Sequence, residues 1–209
     1  MKKYELTDET METSSGNILR RIRALTEIRT AMGTVQPGDL GGWVELEGNL
    51  AQDGSAWVSD DARVFGNARV SGSAWISGDA RVFGNARVYG DARVSGNARV
   101  FGNAWVSGNA LVSDDARVLG NARVSDITHV LTVGPIGSRN GTTTFMLDKE
   151  GTIFVKCGCF FGTIDKFDAA VNRKHGSSRH GRAYRAAIEL ARVQIDTTAS
   201  KEGYYDALV

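Results

Sequence analysis

From Ala56 to Val124 a β-branched aliphatic residue recurs at every sixth position without a gap: Val58, Val64, Val70, Ile76, Val82, Val88, Val94, Val100, Val106, Val112, Val118 and Val124. An alanine stands two residues before each, Ala56 through Ala122, and a Gly or Asp followed by Asn, Asp or Ser separates consecutive units. Such spacing fits one short strand per unit, the aliphatic side chain pointing inward and its two neighbours outward. Gly, Asn and Asp turn each corner because they tolerate positive φ, and only a small alanine fits inside it. A fixed short period sustained over this length marks a solenoid. Three flat sides per turn predict a triangular coil of eighteen residues.

Sorting the outward positions at that longer period supports the triangle. After the aliphatic, one side carries Ser59, Ser77, Ser95 and Ser113, and the next carries Phe65, Phe83, Phe101 and Leu119. On that second side the residue before the aliphatic is always arginine, Arg63, Arg81, Arg99 and Arg117. The first side has Trp57, Trp75, Arg93 and Leu111 in that place, and the third has Arg69, Arg87, Trp105 and Arg123. Four stacked apolar side chains exceed the strip a monomer usually leaves in water. Phe65, Phe83, Phe101 and Leu119 are therefore read as an oligomer interface, in a homotrimer or higher homo-oligomer. Cover by the C-terminal segment and a stacking surface for a flat ligand are the rival readings. The arginines, about 4.8 Å apart, repel one another unless anions lie between them. Either they pair with Asp79, Asp91 or Asp115 of neighbouring corners, or they hold an anionic ligand.

Outside the repeats the pattern changes twice. Residues 1–43 carry mixed apolar patches, Ile18 to Ile28 among them, and are read as an N-terminal cap over the first coil, with 8–17 a candidate loose loop. The β-helix is assigned to 44–126, with Val44, Leu46 and Leu50 entering a degenerate first coil. After Asp126 alternating runs at 128–139, 142–148 and 152–161 predict three strands, Asn140-Gly141 being a hairpin signal. Thr163 or Asp165 caps a helix to about Lys174, and Ser177 a second one. The fold class is thus mainly β: a parallel β-helix with an N-terminal cap and a small C-terminal α+β (β3α2) domain at 127–195. A tail follows at 196–209, in which Tyr204-Tyr205 either docks or frays.

The aliphatic-x-x-x-small-x rhythm resembles that of the hexapeptide-repeat proteins, and the resemblance implies a left-handed parallel β-helix. Lys3-Tyr4-Glu5-Leu6-Thr7-Asp8-Glu9, Gly38-Asp39-Leu40-Gly41-Gly42-Trp43 and the tail from Gly137-Ser138-Arg139 to Cys157-Gly158-Cys159-Phe160 also resemble bacterial and prophage members often labelled acyltransferases. That likeness implies CoA-dependent acyl transfer in grooves between subunits, with a histidine as general base. The coils here contain no histidine: His129 follows them, and His175 and His180 flank the helix junction. Acyl transfer would need one of these to reach a neighbour's groove.

Lys and Arg total 25 against 24 Asp and Glu, so general nucleic-acid binding is not indicated and only local patches count. Two cysteines do not make a disulfide framework, and no signal peptide or membrane-length apolar run is read, so a cytoplasmic setting is expected, that of the host cell if the chain is phage-encoded. Cys157 and Cys159, two apart on one predicted strand, would share a face; with His175 or His180 they could bind zinc, but the spacing is not the usual one, so no metal or other cofactor is assigned. Gly137 to Thr144 packs glycines, hydroxyls and one guanidinium into a turn that would suit a phosphate, or that simply needs Gly and Asn for a hairpin. With the basic cluster at the helix junction it gives the candidate ligand residues Ser138, Arg139, Thr142, Thr144, Arg179 and Arg182. The reading favoured is a non-enzymatic, phage-type oligomeric binder that captures a small phosphorylated or nucleotide-like ligand, such as a host immune signalling nucleotide. The alternatives are a hexapeptide acyltransferase and a structural, partner-binding β-helix.

Overall fold

The corners wind the chain as the repeat predicts. In the computed structural model, which describes residues 2–197, each unit forms a two-residue strand followed by a corner. The glycines at 66, 72, 78, 84, 90, 96, 102, 108 and 120 take positive φ, and Asp60 and Asp114 do so at equivalent corners. A Cβ on Gly90 would lie 2.9 Å from the Gly108 nitrogen of the next coil, so glycine keeps successive corners in contact. At another corner Asp60 takes the glycine's place, its carboxylate accepting a hydrogen bond from Gly78 N of the next coil at 2.9 Å.

Five short strands open the chain: β1 (Tyr4–Glu12), β2 (Ile18–Ala24), β3 (Ile28–Thr30), β4 (Gly33–Val35) and β5 (Leu40–Val44). The coils supply β6 to β17, two residues every six, from Trp57–Val58 to Arg123–Val124. They stack in parallel at a separation of eighteen residues, Arg81 against Arg63 and Arg99, and Val82 against Val64 and Val100. The result is a β-solenoid of about five turns with three flat faces. Its interior is the predicted column: the twelve aliphatics and their alanines are at most 2 % exposed. Outside one corner an amide ladder runs Asn67, Asn85, Asn103, Asn121, with N to O distances of 3.1, 3.1 and 3.5 Å.

The N-terminal segment covers the first coil in two ways. β1 and β2 pair antiparallel and β2 continues onto β5, whose parallel partner is Arg63–Val64, so one solenoid face grows into a seven-stranded sheet. Tyr4 and Lys3 plug the mouth. The Tyr4 hydroxyl donates to Glu47 O at 2.6 Å and Leu50 O at 2.9 Å, and its ring meets Trp57 edge-on at 6.5 Å. Lys3 Nζ donates to Asp53 O and Ala56 O at 3.1 and 2.9 Å, and burial pushes its ammonium down to about 8. The candidate loose loop at 8–17 is instead the end of β1 and a tight turn, closed by Thr13 N to Asn17 O at 2.9 Å.

The C-terminal sheet closes the other end. It has four strands, not three: β18 (Val130–Ile136), β19 (Gly141–Leu147), β20 (Ile153–Cys157) and β21 (Phe160–Thr163). The run 152–161 turns back on itself because Gly158 takes φ 55° midway. α1 (Ile164–His175) is capped by Thr163 as predicted, whereas α2 (Arg179–Gln194) is capped by Ser178, one residue beyond the expected Ser177. β19 works as the joint. Its Met146 belongs to the solenoid core and its Phe145 and Leu147 to the core beneath the helices, as the alternation of a strand requires. No helix among the described residues is long and apolar enough to cross a membrane. Tyr204-Tyr205 and most of the expected tail lie outside the described residues.

Candidate functional site: an arginine face beneath the C-terminal turn

Arginine and phenylalanine share one face because both flank the inward valine. Phe65, Phe83 and Phe101 stack nearly parallel, with centroids 5.0 and 4.9 Å apart and interplanar angles of 3° and 1°. Each ring is half-buried, since it hides its neighbours' faces, so the column needs less outside cover than three separate rings would. At its far end Phe161 of β21 sits over Gly120, beside Leu119, where any Cβ would fall 2.8 Å from the ring. The C-terminal domain thus abuts this face. Because the rings present edges outward, a flat ligand cannot stack along the column.

The parallel arginine column is unpaired. Among the described residues no carboxylate forms an ion pair with Arg63, Arg81, Arg99 or Arg117; the ion pairs present lie elsewhere on the molecule. Asp79, Asp91 and Asp115 form no direct ion pair with these arginines, and Asp79 acts on Arg81 only at longer range. Burial, then the adjacent Arg63 and Arg99 guanidiniums, hold Arg81 below the usual arginine range, with Asp79 offsetting them in part. A row of like charges in this state favours whatever anion enters.

Opposite the row, the β18–β19 turn brings Arg139, Asn140, Gly141 and Thr142 over the face. Between them lies a cleft of about 720 Å³ lined also by Asp79, Asn97, Asp115, Cys157, Gly158 and Tyr184. Four guanidiniums, of Arg81, Arg99, Arg117 and Arg139, face two carboxylates there. The two candidate anion-binding features of the sequence, the coil arginines and the glycine-rich turn, are thus the floor and roof of one cleft within a single chain. Tyr184 anchors the roof: a Cβ on Gly137 would overlap its hydroxyl, and Cys157 Sγ lies 3.7 Å from it. Burial, then Cys157, push the Tyr184 hydroxyl up to about 12, so it stays protonated.

The other candidate ligand residues separate. Ser138 lines a smaller hollow next to the cleft. Thr144 is 1 % exposed, and its hydroxyl accepts from Arg117 N at 3.0 Å; it fastens the C-terminal sheet to the last coil and leaves the ligand set. Arg179 and Arg182 start α2 away from the cleft, Arg182 donating to Ser177 O at 2.9 Å. Tyr184 and the Cys157-Gly158 turn were missed, since in sequence the first reads as an apolar helix position and the second as mid-strand. Cys159 does not share a strand face with Cys157, because it belongs to the turn. Among the described residues no group of three or more His, Cys, Asp or Glu is placed to hold a metal.

His129 cannot act as a base for any groove. It is 1 % exposed; Ser125 N donates to its Nδ1 at 3.2 Å, and its Nε2 has no hydrogen-bond partner among the described residues. Burial lowers its pKa below the ordinary 6.5, against weaker raising effects of Asp126 and Asp196. The unfolded chain therefore takes up the proton first as pH falls, and stability is present above about 6.5 and lost below it. His129→Asn, which keeps an acceptor near the Nδ1 position without titrating, should flatten that decline. Thermal melts at pH 7.5 and 5.5 check this; an equal drop in both proteins would exclude His129 as the cause.

The model of the YdcK beta-solenoid repeat family matches residues 56–72, 62–78, 74–90, 80–94 and 92–108. The match agrees with the coils as built and does not extend to the turn that roofs the cleft. No match was found among curated proteins.

Proposed function

We propose that this protein is a non-catalytic binder that captures a small phosphorylated or nucleotide-like ligand in the cleft between its arginine face and its C-terminal turn. The observation that carries the reading is the convergence of Arg81, Arg99, Arg117 and Arg139 on one cleft, the three coil arginines without an ion pair to any described residue. Guanidiniums match phosphate oxygens with paired donors, and an anion bridging successive rungs would relieve repulsion that is present when the cleft is empty. Capture is favoured over acyl transfer because, among the described residues, no histidine lines the cleft itself, His129 being sealed in the core and His175 lying in the neighbouring hollow. On this reading a phage-borne form would withdraw a signalling nucleotide from its host, and the half-buried phenylalanine column would meet other subunits in a trimer. Incubation with pyrophosphate, a nucleotide panel and acetyl-CoA, followed by native mass spectrometry and by denaturation, tests it. Intact ligand recovered near one per subunit, and lost in Arg139→Ala, is the expected result. A time-dependent product, or no retention of any anion, overturns it.

A further inference from the structure

Beside the cleft lies a hollow of about 250 Å³, and the two share Arg139, Cys157 and Tyr184 along their common border. Its character differs from that of the floor. Phe160, Phe167, Tyr184 and His175 form its walls, with Phe160 to Phe167 at 5.1 Å, Phe167 to Tyr184 edge-on at 5.6 Å and His175 to Tyr184 at 5.6 Å. Ala170, Val171, Cys159, Lys174 and the hydroxyl-bearing Ser138 also line it. Such a volume holds about eight waters' worth of ligand, the scale of one ring system and not of a whole nucleotide.

We infer that the site has two chambers, and that its ligand is an aromatic phosphate of the nucleotide type, its ring in this hollow and its phosphates on Arg81, Arg99 and Arg117, with Arg139 spanning the join. The inference rests on the anion-capture reading and adds to it the organic half of the ligand. Aromatic walls meeting edge-on and tilted leave faces and edges for an inserted ring, which gains from stacking, whereas an alkyl chain gains only contact area. Tyr184, held protonated, offers a donor at the border of the two chambers. The floor alone cannot discriminate among polyphosphates; the hollow supplies selectivity for what they carry.

Calorimetry with inorganic pyrophosphate, ADP and an alkyl diphosphate separates the two layers. ADP should bind about tenfold to a hundredfold more tightly than pyrophosphate, and the alkyl diphosphate should show no such gain. Ala170→Trp, which fills the hollow from α1, should bring ADP down to the pyrophosphate level and leave pyrophosphate itself unchanged. Equal affinities for pyrophosphate and ADP, or an ADP affinity untouched by the variant, would overturn the ring site and leave anion capture standing. If neither anion binds, both readings fall. Should the variant not fold, nuclear Overhauser contacts between adenine protons and the Phe160 and His175 rings decide the matter in the unaltered protein, their absence in saturated ADP counting against the proposal.

Discussion

Changing Arg99 and Arg117 together to glutamine should weaken pyrophosphate binding at least a hundredfold while leaving the unliganded protein at least as stable as before. Each guanidinium offers a charge-assisted contact of about 1.5–3 kcal/mol, so losing two removes about 3–6 kcal/mol of binding. Stability moves the other way because each arginine faces like charges one coil away, Arg81 and Arg117 flanking Arg99 in register. Like charges directly opposite on neighbouring strands cost about 0.2–1 kcal/mol per pair. The double change relieves two such pairs, so the melting temperature should rise slightly at low salt and the rise should fade as salt screens the row. Unaltered affinity would remove the coil arginines from the site; a large loss of stability would mean they hold the fold.

One residue further along, the expectation reverses. Val100 is 0 % exposed between Val82 and Val118, and Val100→Asp would place a carboxylate in that column with no partner within it. An unpaired buried charge costs several kcal/mol, and about 4 kcal/mol or more is expected here. Because each coil touches mainly its neighbours, the damage should divide the rod into an N-terminal and a C-terminal block. Two resolved steps in a urea titration, with hydrogen exchange accelerated first around the central coils, check this. A single transition with an unchanged midpoint would deny that the valine column holds the coils together.

That contrast between positions 99 and 100 also shows what could be read from the chain. Inward and outward assignments follow from period six alone, and the arginine and phenylalanine columns follow from sorting by eighteen, because every contact involved joins chemically equivalent positions. The terminal segments lack such self-reference. Gly158 could equally have bent a strand or continued it, and only pairing of Lys156 with Phe161 shows that the chain reverses there, separating Cys157 from Cys159. Thr144 and Thr142 share one face of β19, so alternation cannot tell them apart; Thr144 lies two residues further along the strand, buried against the coil, where its hydroxyl accepts from Arg117 N. Both halves of the cleft were visible, but not their meeting. Which of three faces the C-terminal turn overhangs is decided by β19 seating on the last coil, a long-range choice that no local pattern encodes.

The amide ladder along one corner and the register beneath it make length a quantised property of this molecule. Removing one whole turn would shorten the charged row by a rung yet return the terminal sheet to the same side, so Arg139 would still overhang guanidiniums. Removing a single six-residue unit would instead swing that sheet a third of the way round the prism, leaving the roof above a different flank and the cleft dismantled, even though every valine remained inside. Insertions and deletions that preserve capture must therefore come in complete circuits.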